Sequence, residues 1–197
     1  MELFPLFLKI AGRRCLVVGA GRVAEEKIEG LLRGGAAVQV VAPHATARVR
    51  KWARDGKILW KSRPYRSSDL ARVFLVVAAT SSADLHQRIF REASACAILC
   101  NIADDPPHCD FYYGSVVRRG ALQSAISTAG LSPALAQRLR KELSRQFGAE
   151  YEDWLRYLGI EREKLMQERI SQQRRKQILH RLASHAAFEK FMRKARR

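Results

Sequence analysis

Short apolar runs alternate with segments of helical periodicity along the first half of the chain. The run 14–18, which is apolar after Arg14, ends at Gly19, and the segment 23–33 that follows places its apolar residues on one helical face. A second apolar run, 36–42, ends at Pro43. This order of strand, turn, helix and strand predicts a βαβ unit completed in about thirty residues.

The same alternation continues to residue 101. We predict helices at 47–53 and 84–95, and strands at 57–61, 73–79 and 97–101. The run 73–79 consists of apolar residues only, which is typical of a central strand buried on both faces. Strands that alternate with helices imply a mostly parallel, doubly wound sheet of the α/β class.

The pattern changes after residue 110. The runs 111–117 and 121–127, separated by 118–120, predict an antiparallel hairpin with Arg118 and Arg119 in its turn. Because an isolated hairpin needs a partner surface, we expect it to pair with a second subunit or to dock on the sheet. Ser132 and Pro133 then predict the N-cap and first residue of a helix, and the sequence is helical in pattern beyond residue 148.

A glycine-rich motif connects the first strand to the first helix. Residues 19–24, Gly-Ala-Gly-Arg-Val-Ala, match the pattern G-x-G-x-x-G/A in this strand, turn and helix context. Gly19 permits the tight turn, Gly21 lets the backbone approach a pyrophosphate, and Ala24 allows close packing. A glycine turn without a ligand is the alternative, but the context favours a dinucleotide site of the Rossmann type. The residues expected to bind it here are Gly19, Ala20, Gly21, Arg22, Val23 and Ala24.

The end of the second strand leaves the choice of dinucleotide open. Pro43 and His44 stand where an acid would bind the ribose hydroxyls. His44 can bond a ribose hydroxyl, whereas Arg48 or Arg50 can pair with a 2′-phosphate, so these residues do not decide between NAD and NADP. A second wall is expected where the central strand ends. Pro43, His44, Ala79, Thr80 and Asn101 complete the predicted cofactor contacts.

The segment 101–111 carries the densest set of reactive side chains. It follows a predicted strand, so we expect it to face the cofactor crevice, and its adjacent Asp104 and Asp105 include a candidate proton acceptor. A solvated acidic loop with turn bonding is the alternative. His108 and Cys109 are neighbours that point apart, and the other cysteines lack ligand spacing, so no metal site is predicted.

Composition narrows the classes of protein and partner. The 36 Lys and Arg residues against 19 Asp and Glu give a formal charge of +17, which favours anionic partners. No apolar run reaches the roughly 18 residues of a spanning helix, and the first nine residues lack the features of a secretory signal. The four cysteines are too few, and too irregularly spaced, for a disulfide framework. We therefore expect a cytoplasmic protein with reduced thiols and no membrane partner.

Seven segments of the chain match a known family: 4–8, 13–24 with Lys27, 78–80, 101–104, 109–111, 116–120 and 125–136. In these segments the sequence resembles the precorrin-2 dehydrogenases, the family that also forms the dehydrogenase and ferrochelatase part of siroheme synthases. The resemblance covers residues 3–145, and the C-terminal helices resemble the variable cap of stand-alone members. It implies three parts: an NAD(P)-binding Rossmann domain over 1–112, a hairpin and helix segment for dimerisation over 113–148, and a basic helical domain over 149–197.

The resemblance implies NAD-dependent oxidation of precorrin-2 to sirohydrochlorin in a homodimer, with Fe²⁺ insertion as a second activity of bifunctional members. It places Asp104 on the family's catalytic aspartate, a general base, and Thr128 in the tetrapyrrole site. Since the substrate carries several carboxylates, basic side chains are candidates to pair with them, and solvated surface cations are the alternative. These candidates are Arg118, Arg119, Arg138 and Lys141.

The main alternative is a dinucleotide-sensing regulator that binds nucleic acid, because the positive charge also suits phosphate contacts. Its recognition unit would have to lie in 151–197, where 174–176 and 193–197 are basic. A solvated helix face explains these charges more simply, so a nucleic-acid partner is not expected. An NAD-gated regulatory domain of a transport system ranks last, because such a domain normally carries the missing ribose-binding acid.

Overall fold

The computed structural model describes residues 3–195, so the first two residues and the last two residues of the basic tail lie outside the described part. The chain divides into two compact units, the first ending at Tyr112 and the second beginning at Tyr113. None of the described helices is long and apolar enough to cross a membrane.

The first unit is a five-stranded parallel sheet with helices between its strands. Its order is β3-β2-β1-β4-β5, so β1 lies between β2 and β4 at a switch in strand order. The predicted α/β class is therefore confirmed, with element ends close to those expected. The strands are β1 (Arg14–Val18), β2 (Ala37–Val41), β3 (Leu59–Lys61), β4 (Leu75–Ala78) and β5 (Leu99–Ile102), and the helices are α1 (Arg22–Arg33), α2 (Ala47–Arg54) and α3 (Ala83–Ala95).

Both faces of this sheet are covered by apolar side chains. Val17 and Val77 pack on one face with Ile28 of α1, and the other face packs against Ile89 of α3. Because successive strand residues point to opposite faces, a strand buried on both sides must be apolar throughout. This explains why the apolar run 73–79 predicts a central strand.

The second unit contains a hairpin and four helices within the described residues. Strands β6 (Ser115–Arg119) and β7 (Leu122–Ile126) pair antiparallel. Both strands contact the helices α4 and α5. The Ser132 side chain caps α4 by accepting a hydrogen bond from the Leu135 amide, as predicted. The helices are α4 (Pro133–Gln146), α5 (Glu150–Gln167), α6 (Gln172–Leu182) and α7 (His185–Ala195).

The turn of the hairpin is shorter than the sequence indicates. Arg118 and Arg119 are predicted in the turn, but both lie in β6, and the turn is formed by Gly120 and Ala121. Gly120 has a φ of +56°, which a two-residue hairpin turn allows at its first position. The strand can therefore continue to residue 119. Pairing of the hairpin with a second subunit, and the further division of the second unit at residue 148, stay predictions.

Candidate active site

The turn between β1 and α1 lies at the carboxyl edge of the sheet, next to the end of β4. Gly19 has a φ of +110°, and a Cβ at this position would overlap the carbonyl oxygen of Ala79. Only glycine permits this close approach. Gly21 is different, because its backbone is extended and a Cβ there would meet no atom within 4 Å. The turn therefore does not itself require Gly21, whose open side offers space to a ligand.

The start of α1 fits an anionic ligand. Gly21 is the N-cap of α1 and provides no side-chain hydrogen bond to the first amides of the helix. These amides and the positive end of the helix dipole therefore suit the pyrophosphate of a dinucleotide. The residues present thus fit such a cofactor, as the motif predicts.

The end of β2 exposes His44 and Pro43. The two arginines expected to reach a 2′-phosphate are held by protein groups instead. Arg48 lies 3.0 Å from a carboxylate oxygen of Glu29 and stacks on a tryptophan ring, and Arg50 donates to the carbonyl oxygen of Ala45. This leaves His44 as the exposed polar side chain immediately after the strand.

The predicted second wall of the cofactor crevice adjoins the glycine turn. The Ala79 amide donates to the Val18 carbonyl at 2.8 Å, which fixes the end of β4 beside β1. The Thr80 amide donates to Nε2 of His86 at 3.4 Å, and the Thr80 hydroxyl accepts from the Ser82 amide. His86 is a contact that sequence reasoning missed, although its position four residues after the N-cap Ser82 placed it on the first turn of a helix.

The loop after β5 carries Asp104 at the same edge of the sheet. Asp104 is exposed and has a φ of +61°, and the preceding Ala103 amide donates to the Ala78 carbonyl at 2.8 Å. The neighbouring Asp105 bonds Nδ1 of His108 at 2.7 Å instead of facing outward with Asp104. The two adjacent acids therefore differ in role. Among residues 3–195, no group of three His, Cys, Asp or Glu side chains is arranged to hold a metal ion.

Lys27, on the helix that follows the glycine turn, interacts electrostatically with this loop. Burial lowers the pKa of Lys27, while the negative charges of Glu26 and Asp104 oppose that shift. The half-buried ammonium group on α1 is thus close enough to interact with the carboxylate of Asp104. The sequence places Lys27 in a family-like segment, but its electrostatic interaction with Asp104 could not be predicted from the sequence.

Asn101 is placed differently from the other predicted cofactor contacts. Its side chain is buried, and Nδ2 donates to the Phe111 carbonyl at 2.8 Å and contacts Sγ of Cys109 at 3.3 Å. The amide hydrogens therefore serve the loop itself. A contact from Asn101 to the cofactor stays a prediction.

The basic candidates of the second unit fall into two groups. The guanidinium group of Arg119 donates to the carbonyls of Phe147 and Ser144, each at 2.8 Å, and so fastens β6 to the end of α4. This argues against the expected role of Arg119 in substrate binding. Arg118, Arg138 and Lys141 are exposed, and the Thr128 hydroxyl accepts from the Ser132 amide at 3.2 Å.

Two family models match the chain. Residues 6–115 match an NAD(P)-binding family, and residues 119–146 match the central domain of sirohaem biosynthesis proteins. The chain belongs to this NAD(P)-binding family. The matched range contains the glycine turn, both walls of the crevice and the Asp104 loop, so a nicotinamide dinucleotide is the class of cofactor expected in the first unit.

Similar proteins are siroheme synthases. That of Neisseria meningitidis serogroup B is 43% identical over 143 residues, which make up 73% of this chain and 30% of that protein. That of Nitrosococcus oceani is 35% identical over 184 residues, covering 87% of this chain and 39% of that protein. The chain therefore spans less than half the length of these curated relatives.

A solved structure matches nearly the whole chain. SirC, a precorrin-2 dehydrogenase, superposes with a TM-score of 0.80 at 28% identity, covering 98% of each chain. The expected resemblance to precorrin-2 dehydrogenases and siroheme synthases is confirmed, together with the fold class.

Proposed function

We propose that the protein is a nicotinamide-dependent precorrin-2 dehydrogenase, which oxidises precorrin-2 to sirohydrochlorin in siroheme biosynthesis. The observation that carries the proposal is that a dinucleotide-binding turn and a candidate proton acceptor lie at the same edge of the sheet. The glycine turn leaves an open side at Gly21, and Lys27 on the following helix interacts with Asp104. The likeness to SirC over 98% of both chains supports the same activity.

The reaction removes a hydride and a proton from the tetrapyrrole. A bound nicotinamide supplies the hydride acceptor. The exposed carboxylate of Asp104 takes the proton, and Lys27 supplies a positive charge beside it. The Ala103 amide, bonded to the end of β4, holds the loop next to the crevice. Asp105 does not share this role because its carboxylate is bonded to His108.

NAD is the proposed cofactor rather than NADP. A 2′-phosphate needs a cation that is available to pair with it. Arg48 is paired with Glu29 and Arg50 is bonded to Ala45, while the exposed His44 can bond a ribose hydroxyl. Titration with each dinucleotide, followed by tryptophan fluorescence or calorimetry, tests this choice. Tighter binding of NADP⁺ would reverse it.

The substrate contacts and the assembly are further parts of the proposal. Arg118, Arg138 and Lys141 are exposed cations of the second unit that suit carboxylates, and Thr128 offers a hydroxyl group. We also propose a cytoplasmic homodimer, supported by the two-stranded sheet of the described second unit, in which β6 and β7 each have an outer edge that is not paired with a further strand. Sedimentation equilibrium measures the oligomeric state directly, and a monomer at micromolar concentration would contradict it.

The activity is tested by an anaerobic absorption time course with enzymatically generated precorrin-2. We expect the sirohydrochlorin spectrum to develop with NAD⁺ and not without a nicotinamide dinucleotide. Addition of Fe²⁺ or Co²⁺ after completion then measures whether the protein accelerates metal insertion above a protein-free blank. No conversion by a folded protein that binds NAD⁺ would refute the proposed activity.

A further inference from the structure

Cys109 closes the base of the loop that carries Asp104. Its Sγ lies 3.3 Å from Nδ2 of Asn101 and 3.3 Å from the amide of Ile102. The same sulfur lies 3.2 Å from the carbonyl oxygens of Ile102 and Asp105. One thiol thus connects the last residues of β5 with the middle and the end of the loop.

A second set of bonds fixes the chain immediately after Cys109. The Cys100 amide donates to Oδ2 of Asp110 at 2.8 Å, and the Asp110 amide donates to the Cys100 carbonyl at 2.8 Å. Asn101 forms an antiparallel bridge with Cys109 and donates from Nδ2 to the Phe111 carbonyl at 2.8 Å. The loop therefore leaves β5 and returns to it at one closed neck, formed by residues 100–102 and 109–111.

The neck bears directly on Asp104. Its φ of +61° is a left-handed conformation that a residue with a side chain adopts only under constraint, although aspartate tolerates it better than most. Ala103 is bonded to the end of β4 on one side of Asp104, and the Asp105 carbonyl is bonded to Cys109 on the other. The backbone of Asp104 is thus held from both directions.

We propose that Cys109, together with Asn101, is a positioning residue that holds the carboxylate of Asp104 in place for proton transfer. The proposal rests on the function proposed above, in which Asp104 takes the proton. It gives the buried amide of Asn101 a role in the loop neck. Burial raises the pKa of the Cys109 thiol, so the thiol keeps the proton that it donates to the carbonyl oxygens.

Two variants of Cys109 test the proposal in the full chain, with Cys96→Ala as the matched control because Cys96 is exposed. In Cys109→Ala we expect kcat for precorrin-2 to fall about ten- to a hundredfold, because small displacements of a reacting group are costly. The KM for precorrin-2 and the affinity for NAD⁺ should not change. Cys109→Ser retains a donor and an acceptor and should restore most of the loss. Cys96→Ala should behave as wild type.

Amide hydrogen exchange of residues 101–111 supplies a readout that does not depend on activity. We expect faster exchange in Cys109→Ala than in wild type, and wild-type exchange in Cys109→Ser. Unchanged exchange in Cys109→Ala would show that Cys109 does not hold the loop. Faster exchange with an unaltered kcat would show that holding the loop does not position Asp104 for catalysis. An equal loss of kcat in both variants would show that the hydrogen bonds of the thiol are not responsible. A wild-type protein inactive on precorrin-2 would refute the proposed function, while exchange would still decide whether Cys109 holds the loop.

Discussion

Two aspartates of the first unit differ in burial and in the hydrogen bonds of their carboxylates. Asp69, in the short 3₁₀ turn before β4, is 4% exposed and accepts hydrogen bonds from Arg63 at 2.6 and 2.8 Å. It also accepts from the Arg66 amide at 3.0 Å and from Lys61 at 3.4 Å. Asp104, after β5, is exposed, and the hydrogen bonds around it hold its backbone rather than its carboxylate.

The difference shows how the fold separates structural charges from charges available for chemistry. Burial alone would raise the pKa of Asp69, but its bonds to Arg63, Arg66 and Lys61 outweigh burial and hold that pKa below the usual value. The Asp69 carboxylate is thus ionised and fully engaged. Replacement of an engaged group should lower stability, whereas replacement of an available group should lower activity or binding.

The largest effect is expected for Asp104→Asn. Loss of the proton acceptor should lower kcat about a hundredfold or more. Asparagine tolerates the left-handed conformation as well as aspartate does, so the thermal midpoint and NAD⁺ affinity should not change. Anaerobic kinetics with precorrin-2, alongside thermal unfolding, measures both quantities. Turnover at the wild-type rate would show that Asp104 is not the base.

A variant of the glycine turn should also lower ligand binding without lowering stability. In Gly21→Asp the new carboxylate should cap α1 while repelling a pyrophosphate, so NAD⁺ affinity should fall more than about a hundredfold without loss of stability. Gly159→Asp is the charge-matched control, since Gly159 on α5 also has open space beside it. Calorimetric titration with NAD⁺ measures the affinities. Unchanged binding in Gly21→Asp would place the cofactor elsewhere.

The sequence predicts well those features that depend on neighbouring residues. The parallel sheet, the glycine turn and the Ser132 cap arise from local periodicity and from the chemistry of single turns. The neck formed by Asn101 and Cys109 joins residues eight positions apart through a thiol, a contact that has no periodic signature. The same holds for the bonds from Arg119 to Phe147 and Ser144, which lie 28 and 25 positions away along the chain.

The engaged aspartate should affect stability and leave catalysis intact. In Asp69→Asn we expect the free energy of unfolding to fall by about 2 kcal/mol, because the partly exposed Arg63 and Lys61 lose the charge of the buried carboxylate to which they are hydrogen-bonded. Asp55→Asn is the control, since its exposed pair with Lys51 should contribute less than about 1 kcal/mol. Urea unfolding measures both values. Equal losses in the two variants would contradict the contrast between buried and exposed carboxylates.

The effect of pH on Asp69 has a definite sign. Its folded-state pKa lies below the unfolded value of about 3.9, so ionised Asp69 stabilises the fold fully above about pH 5. This contribution is lost as the pH falls below that unfolded value and through the folded-state pKa. The stability difference between wild type and Asp69→Asn should therefore shrink in acid. A difference that stayed constant between neutral and strongly acidic solution would show that the carboxylate charge is not its source.

The smallest effect is expected for an exposed cation of the second unit. Arg138 lies 3.5 Å from Glu142 in an exposed pair that contributes little to stability, so Arg138→Ala should leave the thermal midpoint unchanged. If Arg138 pairs with a substrate carboxylate, its loss should raise the KM for precorrin-2 by about three- to tenfold. Arg156→Ala removes an equally exposed arginine from α5 and tests for a general effect of charge. A similar rise of KM in both variants would mean that the positive surface attracts the substrate only at long range, because a specific pair must distinguish one cation from the other.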